Sequence, residues 1–167
     1  MSIGAYTNLI KLLKDRLDAK QVTLGIKTIQ IVAKPERLQQ DMMPYLLLIP
    51  DSQFITEEYG ASMQNKRKNA TMNLLIYCDY PINDRDTANA LYDENAGVYT
   101  GFLPFVEKLV DALNTTTGGV LNPQLEDATA SMGITVQNVE KTDNSMSFEI
   151  ALSVTGMAFV INNRQNI

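Results

Sequence analysis

The stretch Phe148 to Val160 alternates with almost no break, and this constrains the chain more than any other feature: Phe148, Ile150, Leu152, Val154, Ala158 and Val160 share one parity, with Glu149, Ser153 and Thr155 on the other. A period of two belongs to a strand with one buried face and one facing water or a neighbouring subunit. A second segment repeats the pattern. Ala70, Met72, Leu74, Ile76 and Cys78 lie on one parity, opposite Thr71, Asn73, Tyr77 and Asp79. Burying the four inward residues of the last strand contributes on the order of 6 to 12 kcal/mol gross, at about 1.5 to 3 each, before chain entropy is set against it.

Other elements follow from the same periodicities. Ile3, Tyr6, Leu9, Ile10, Leu13 and Leu17 form one helical stripe, so a helix is predicted from Ser2 to Ala19 with Ser2 as N-cap. Ile26 to Ala33 reads as a strand ended by Lys34-Pro35. Tyr45 to Ile49 is a continuous apolar run closed by Pro50-Asp51, the signature of a strand covered on both faces. Phe54 to Tyr59 is a weaker strand leading into Gly60 to Asn69, which reads as a hairpin tip carrying Lys66, Arg67 and Lys68.

Thr87 to Glu94 has short-helix character, interrupted by Gly97, Gly101 and Pro104. Phe102, Phe105, Val106, Leu109, Val110 and Leu113 are spaced for a second helix, which Gly118-Gly119 ends. Gln124 to Gly133 carries no clear pattern. Ile134 to Glu140 is a strand whose phase slips at Asn138-Val139, the mark of a bulge. This order predicts one α+β domain spanning residues 1–167, with a mainly antiparallel sheet, helices on one face and a long hairpin arm. At 167 residues a single domain buries roughly 70% of the surface its unfolded chain exposes.

Composition removes most catalytic chemistry. The chain has no histidine, no tryptophan and one cysteine, so no Ser-His or Cys-His arrangement can form and no intrachain disulfide is possible. Cys78 lies on the apolar parity of its strand and reads as a core residue. Ser62 and Lys66 are one residue too far apart for a Ser-x-x-Lys pair. Asp84 and Asp86 begin like a calcium loop, but Ala88 and Asn89 stand where a ligand and the turn glycine belong. Glu57 and Glu58 are strand neighbours that point to opposite faces, and nothing nominates Asp93-Glu94 or Glu126-Asp127 as an acid-base pair. Gly118-Gly119-Val120 lacks phosphate-loop spacing. The reading is of a non-enzyme with no cofactor, no metal site and no catalytic residue.

A net charge of -5 opposes tight binding to a phosphate backbone. No stretch approaches the roughly 20 apolar residues needed to cross a bilayer, and the N-terminus has no signal-peptide pattern, so the expectation is a soluble protein made in a cytoplasm, with no membrane partner. Two segments stand out as contact surfaces. The run Lys66-Arg67-Lys68 is the local departure from an acidic chain, and from Met157 to Ile161 both parities turn apolar. Tyr59, Lys66, Arg67, Lys68, Met157 and Phe159 are therefore the candidate interface residues.

A leading helix, a strand entered through Pro44-Tyr45-Leu46-Leu47-Leu48, a strand ending Leu74-Leu75-Ile76-Tyr77-Cys78-Asp79, a helix closing on Val106 to Leu113 and two final strands resemble the tail terminator proteins of long-tailed bacteriophages. The tail-completion proteins of phage-like contractile particles are similar. The resemblance is one of order and pattern over nearly the whole chain. It implies a structural virion protein, assembled in the host cytoplasm, that forms a six-membered ring at the head-proximal end of the tail. Such a ring caps the tail tube protein, stops tube growth and joins the tail to a head-tail connector or neck protein. DNA passes through its acidic channel without specific binding. Ring closure needs two different patches, which a sheet edge and a hairpin arm would supply. The alternative reading is an acidic α+β secretion-type chaperone or adaptor, though those chains usually finish in a helix and this one finishes in a strand and a polar tail, Asn162 to Ile167. A small enzyme built on two dispersed carboxylates is a third class.

Overall fold

A computed structural model describes residues 5–59, 67–82, 90–114, 131–142 and 144–159. Helix α1 (Ala5–Leu24) leads into β1 (Thr28–Ile31), β2 (Tyr45–Tyr59) and β3 (Arg67–Pro81). A short hairpin, β4 (Asp93–Asn95) and β5 (Val98–Thr100), precedes helix α2 (Phe102–Asn114), and β6 (Ser131–Lys141) and β7 (Ser145–Phe159) complete the described chain. The main sheet has the order β1-β2-β3-β7-β6. Its β1-β2 pair is parallel and the rest are antiparallel, so the fold is α+β with a mostly antiparallel mixed sheet.

Both helices pack on one face. Leu13 and Leu17 of α1 and Phe102, Phe105, Leu109 and Leu113 of α2 close over Leu46, Leu48, Leu74, Ile76, Cys78, Phe148, Ile150 and Leu152. Phe148 is fully buried, with its ring edge-on to Phe102 at 5.5 Å and to Phe105 at 6.4 Å. Tyr80 joins the same cluster, 5.0 Å from Phe105. Such aromatic pairs add about 0.5 to 1.5 kcal/mol each beyond the area they bury. Cys78 is buried in this core, where desolvation pushes its thiol up.

The apolar run of β2 serves two cores at once. Leu46 and Leu48 face the helices, while Tyr45, Leu47 and Ile49 enter a second cluster with Met43, packed by Val32, Leu38, Met42, Leu75 and Tyr77. The second cluster lies under the segment from Val32 to Pro44 that joins β1 to β2, which acts as a strap over the sheet's other face. Strands covered on both sides lose polar alternation, and this one has.

Several boundaries differ from the sequence reading. The first helix runs on to Leu24, because Gly25 at φ 71° supplies the left-handed stop: its N–H donates to Val22 O and that of Ile26 to Gln21 O. Pro50 does not end its strand. β1 pairs only as far as Leu48, so Pro50 lies on an open edge where a missing N–H is tolerated, and β2 continues through an irregularity between Pro50 and Ile55. Asp93 and Glu94 lie on β4 rather than on a helix, since Ala96 and Gly97, at φ 53° and 80°, make the two-residue turn of a hairpin. The expected bulge in β6 falls between Gln137 and Glu140, with Asn138 at φ 54°. Ser2, Thr87 to Asn89, Gly118-Gly119, Gln124 to Ala130, and the chain after Phe159 lie outside the described residues.

Candidate functional site

Strand register brings the candidate interface residues to one end of the sheet. Tyr59 is the partner of Lys68, Lys68 of Ala158, Arg67 of Phe159 and Asn69 of Met157. Tyr59, Arg67, Lys68, Met157 and Phe159 thus come from three strands that are neighbours at this end, although 100 residues of sequence separate Tyr59 from Phe159. Arg67, Lys68 and Asn69 are strand residues rather than part of a loop. Lys66 and the remainder of the expected hairpin tip, with the Ser62-Lys66 pair, lie outside the described residues.

Two stretches of open edge are less suited to strand pairing than the sequence suggests. Beyond the end of β1, β2 is open and carries Pro50 and a register shift, and on the other side β6 carries the Asn138 bulge. Proline and bulges are devices that keep an edge from adding another strand.

At the opposite end, the strap builds a polar cluster that periodicity did not indicate. Asp79 falls on the parity read as solvent-facing, yet it is only 1% exposed because the strap closes over that end of β3. Tyr45, its cross-strand partner, donates a hydrogen bond to Asp79 Oδ2 and accepts one from the Leu38 N–H at 3.0 Å. Among the described residues Asp79 Oδ1 has no hydrogen-bond partner. Desolvation raises the Asp79 carboxyl, opposed by the Tyr45 hydrogen bond, the Arg37 charge and the Tyr77 hydroxyl. Burial, with Asp79 adding to it, also pushes both tyrosines upward.

Arg37 fastens the strap to the β6-β7 turn, donating to Thr142 Oγ1 at 2.6 Å and Ser145 Oγ at 3.2 Å. Asn144 adds a bond to Gln40 at 3.2 Å. An open hollow of about 360 Å³ lies here, lined by Arg37, Leu38, Gln40, Met43, Thr142 and Asn144. This arrangement can hold a proton on one carboxyl, and it ties the strap to the sheet. Among the described residues it contains a single acid, Asp79, whereas paired acid-base hydrolysis takes two. Among the described residues no group of three or more Cys, Asp or Glu converges as a metal site.

The other sequence candidates are dispersed. Glu57 and Glu58 are successive residues of β2. Asp93 and Glu94 are exposed on β4. Asp84, Asp86, Glu126 and Asp127 lie outside the described residues. No described helix is long and apolar enough to cross a membrane. No protein-family model matches the chain, and no curated protein matches it by sequence.

Proposed function

We propose that this chain is a tail-terminator subunit, which assembles with copies of itself into a ring at the head-proximal end of a phage tail tube, stops tube growth and presents a face to the head or neck. The observation that carries the reading is the register at one sheet end, where segments distant in sequence place Lys68 opposite Tyr59 and Ala158, and Arg67 opposite Phe159. Basic and apolar residues gathered on an otherwise acidic chain suit a contact with another acidic protein. The α+β order that underlies the resemblance gives further support. The ring, its six-fold symmetry, the tube and neck contacts and the virion location all belong to this proposal, as does the absence of catalysis. Since the open stretch of β2 and the β6 edge carry strand-blocking features, the ring contact runs through sheet ends and faces rather than through pairing along those stretches.

Negative-stain images and light scattering of the purified protein test the reading, with and without purified tail tubes. Closed rings, and density on one end only of each tube, are expected. A protein that is monomeric at high concentration and leaves tube ends bare would refute it. A stable dimer that holds an unfolded client segment would instead favour the adaptor.

A further inference from the structure

Asp79 is buried at the seam between the sheet and the strap. Its Oδ2 accepts from the Tyr45 hydroxyl, and its Oδ1 has no hydrogen-bond partner among the described residues. Tyr45 in turn accepts from the Leu38 N–H, so one hydroxyl joins the acid to the middle of the strap. Backbone bonds tie the strap at its two ends, where the Val32 N–H donates to Leu48 O at 3.0 Å and the Lys27 N–H to Pro44 O at 2.8 Å. Between them the links to the rest of the molecule described here run through side chains: Tyr45 to Leu38 N, Arg37 to Thr142 and Ser145, Asn144 to Gln40, and Lys27 Nζ to Asp41 O. A segment held in this way, without ladder bonds along its length, opens at lower cost than the sheet beneath it.

We infer that the strap is a pH-gated cover, closed over a neutral Asp79 and released when that carboxyl ionises. The closed strap keeps water from Oδ1, which costs a carboxylate far more than it costs the neutral acid. Lifting the strap lets water solvate the charge. The groups around Asp79 set the direction of the response. Burial is the largest influence and raises the carboxyl, while the Tyr45 hydroxyl of β2, the Arg37 charge of the strap and the Tyr77 hydroxyl of β3 oppose it. Cys78 beside it is a thiol that burial keeps neutral. Opposite Asp79 on β7 stands the uncharged Ser147, and Glu149, two residues on, accepts from Asn138 at 2.7 Å. In the β6-β7 turn Thr142 and Asn144 are uncharged, and Asp143 lies outside the described residues. Between the ordinary and the raised value, the closed strap therefore holds a proton that the open strap has released. Opening then grows by up to a factor of about ten per pH unit and levels off above the raised value. It bares the outer face of β2, where Tyr45, Leu47 and Ile49 are otherwise buried with Met43. This device does not depend on the ring.

Native-state hydrogen exchange on the full-length protein, corrected for the intrinsic rate at each pH, tests this at the amides of Leu38, Met42 and Met43, all of which donate hydrogen bonds within the closed strap or to Tyr45. Amides of α2 and β7 serve as the core reference. In the parent, strap opening is expected to climb as pH rises above the ordinary aspartate value of 3.8, while remaining more frequent than opening of the core. In Asp79→Asn it should stay level over the same range. Tyr45→Phe provides a second variant: its strap opens more at every pH, and the climb continues to higher pH than in the parent, because the lost hydroxyl no longer lowers Asp79. Equal slopes in the parent and Asp79→Asn overturn the inference. Should Asp79→Asn fail to fold, a Tyr45→Phe strap whose climb ends at the same pH as the parent's overturns it instead. Strap amides that exchange only in step with those of α2 and β7 also overturn it, since the opening is then that of the whole domain.

Discussion

Tyr45 and Asp79 are direct cross-strand partners, and the tyrosine's hydroxyl bridges the Asp79 carboxylate and the Leu38 N–H of the strap. That hydroxyl therefore satisfies two groups at once. It anchors the middle of a thirteen-residue connection, while Arg37 anchors the same segment to the β6-β7 turn. The cost is a carboxylate held out of water, with no hydrogen-bond partner for its Oδ1 among the described residues.

The first prediction concerns pH. Asp79 is raised above the ordinary aspartate value of 3.8. Between the ordinary and the raised value, the native chain holds a proton that the unfolded chain has released. Stability from this group is therefore full below the ordinary value and is lost as pH rises through the native one. Asp79→Asn removes that dependence, so urea midpoints should fall less steeply in the variant than in the parent as pH rises above the ordinary aspartate value of 3.8. The difference in slope has a ceiling of about 1.4 kcal/mol per pH unit for one proton. Parallel pH profiles for the two proteins would contradict the assignment.

Tyr45→Phe keeps the ring in its core and removes only the hydroxyl. Asp79 loses the Tyr45 donor and Leu38 its acceptor. The expected cost near neutral pH is about 1.5 to 3 kcal/mol, the range for losing a hydrogen bond to a charged group. The Tyr45 bond lowers Asp79, so its loss raises the carboxyl further and steepens the fall of stability with pH. Faster hydrogen exchange at the Leu38 amide would accompany it, and unchanged protection there would show that the strap is held by other means.

Two glycines separate backbone strain from collision. Gly25 ends α1 at φ 71° with nothing within 4 Å of an added Cβ, so Gly25→Ala carries only the left-handed penalty of about 1 to 2 kcal/mol. Gly101 stands at φ 115°, and its Cβ would meet the Leu91 carbonyl oxygen at 2.8 Å. Gly101→Ala should be the more destabilising of the two by chemical denaturation. It should also disturb the hairpin's Tyr92-Tyr99 stack, visible in near-ultraviolet circular dichroism. The reverse ranking would mean that the Leu91 backbone yields at little cost.

Periodicity made legible whatever depends on one chain segment at a time. The α+β class, the inward placing of Leu74, Ile76 and Cys78 on β3 and of Phe148, Ile150 and Leu152 on β7, the double coverage of Tyr45 to Ile49 and the β6 bulge all follow from local pattern. The Asp79 cluster does not, because it depends on register between β2 and β3 and on a strap of weak local preference crossing the outer face. Arg37 reads as one more surface cation until the β6-β7 turn meets it. The β4-β5 hairpin was obscured for another reason: Ala96 occupies a turn position where asparagine, aspartate or glycine is the usual signal, which left Gly97 reading as a helix breaker. As for the interface candidates, sequence named the residues but not their convergence, which comes from long antiparallel pairing through β3 and β7.

The last prediction returns to the strand whose alternation is plainest. Phe148 sits beneath α2 with its ring edge-on to both Phe102 and Phe105, and all three side chains are buried. Phe148→Ala leaves a void that two rigid rings cannot fill, at an expected cost of about 3 to 5 kcal/mol. Phe148→Leu retains most of the apolar volume but loses the edge-to-face geometry. Combining Phe148→Leu with Phe102→Leu in a double-mutant cycle should therefore give a coupling of about 0.5 to 1.5 kcal/mol. A coupling near zero would mean that area alone, without ring geometry, holds α2 on the sheet.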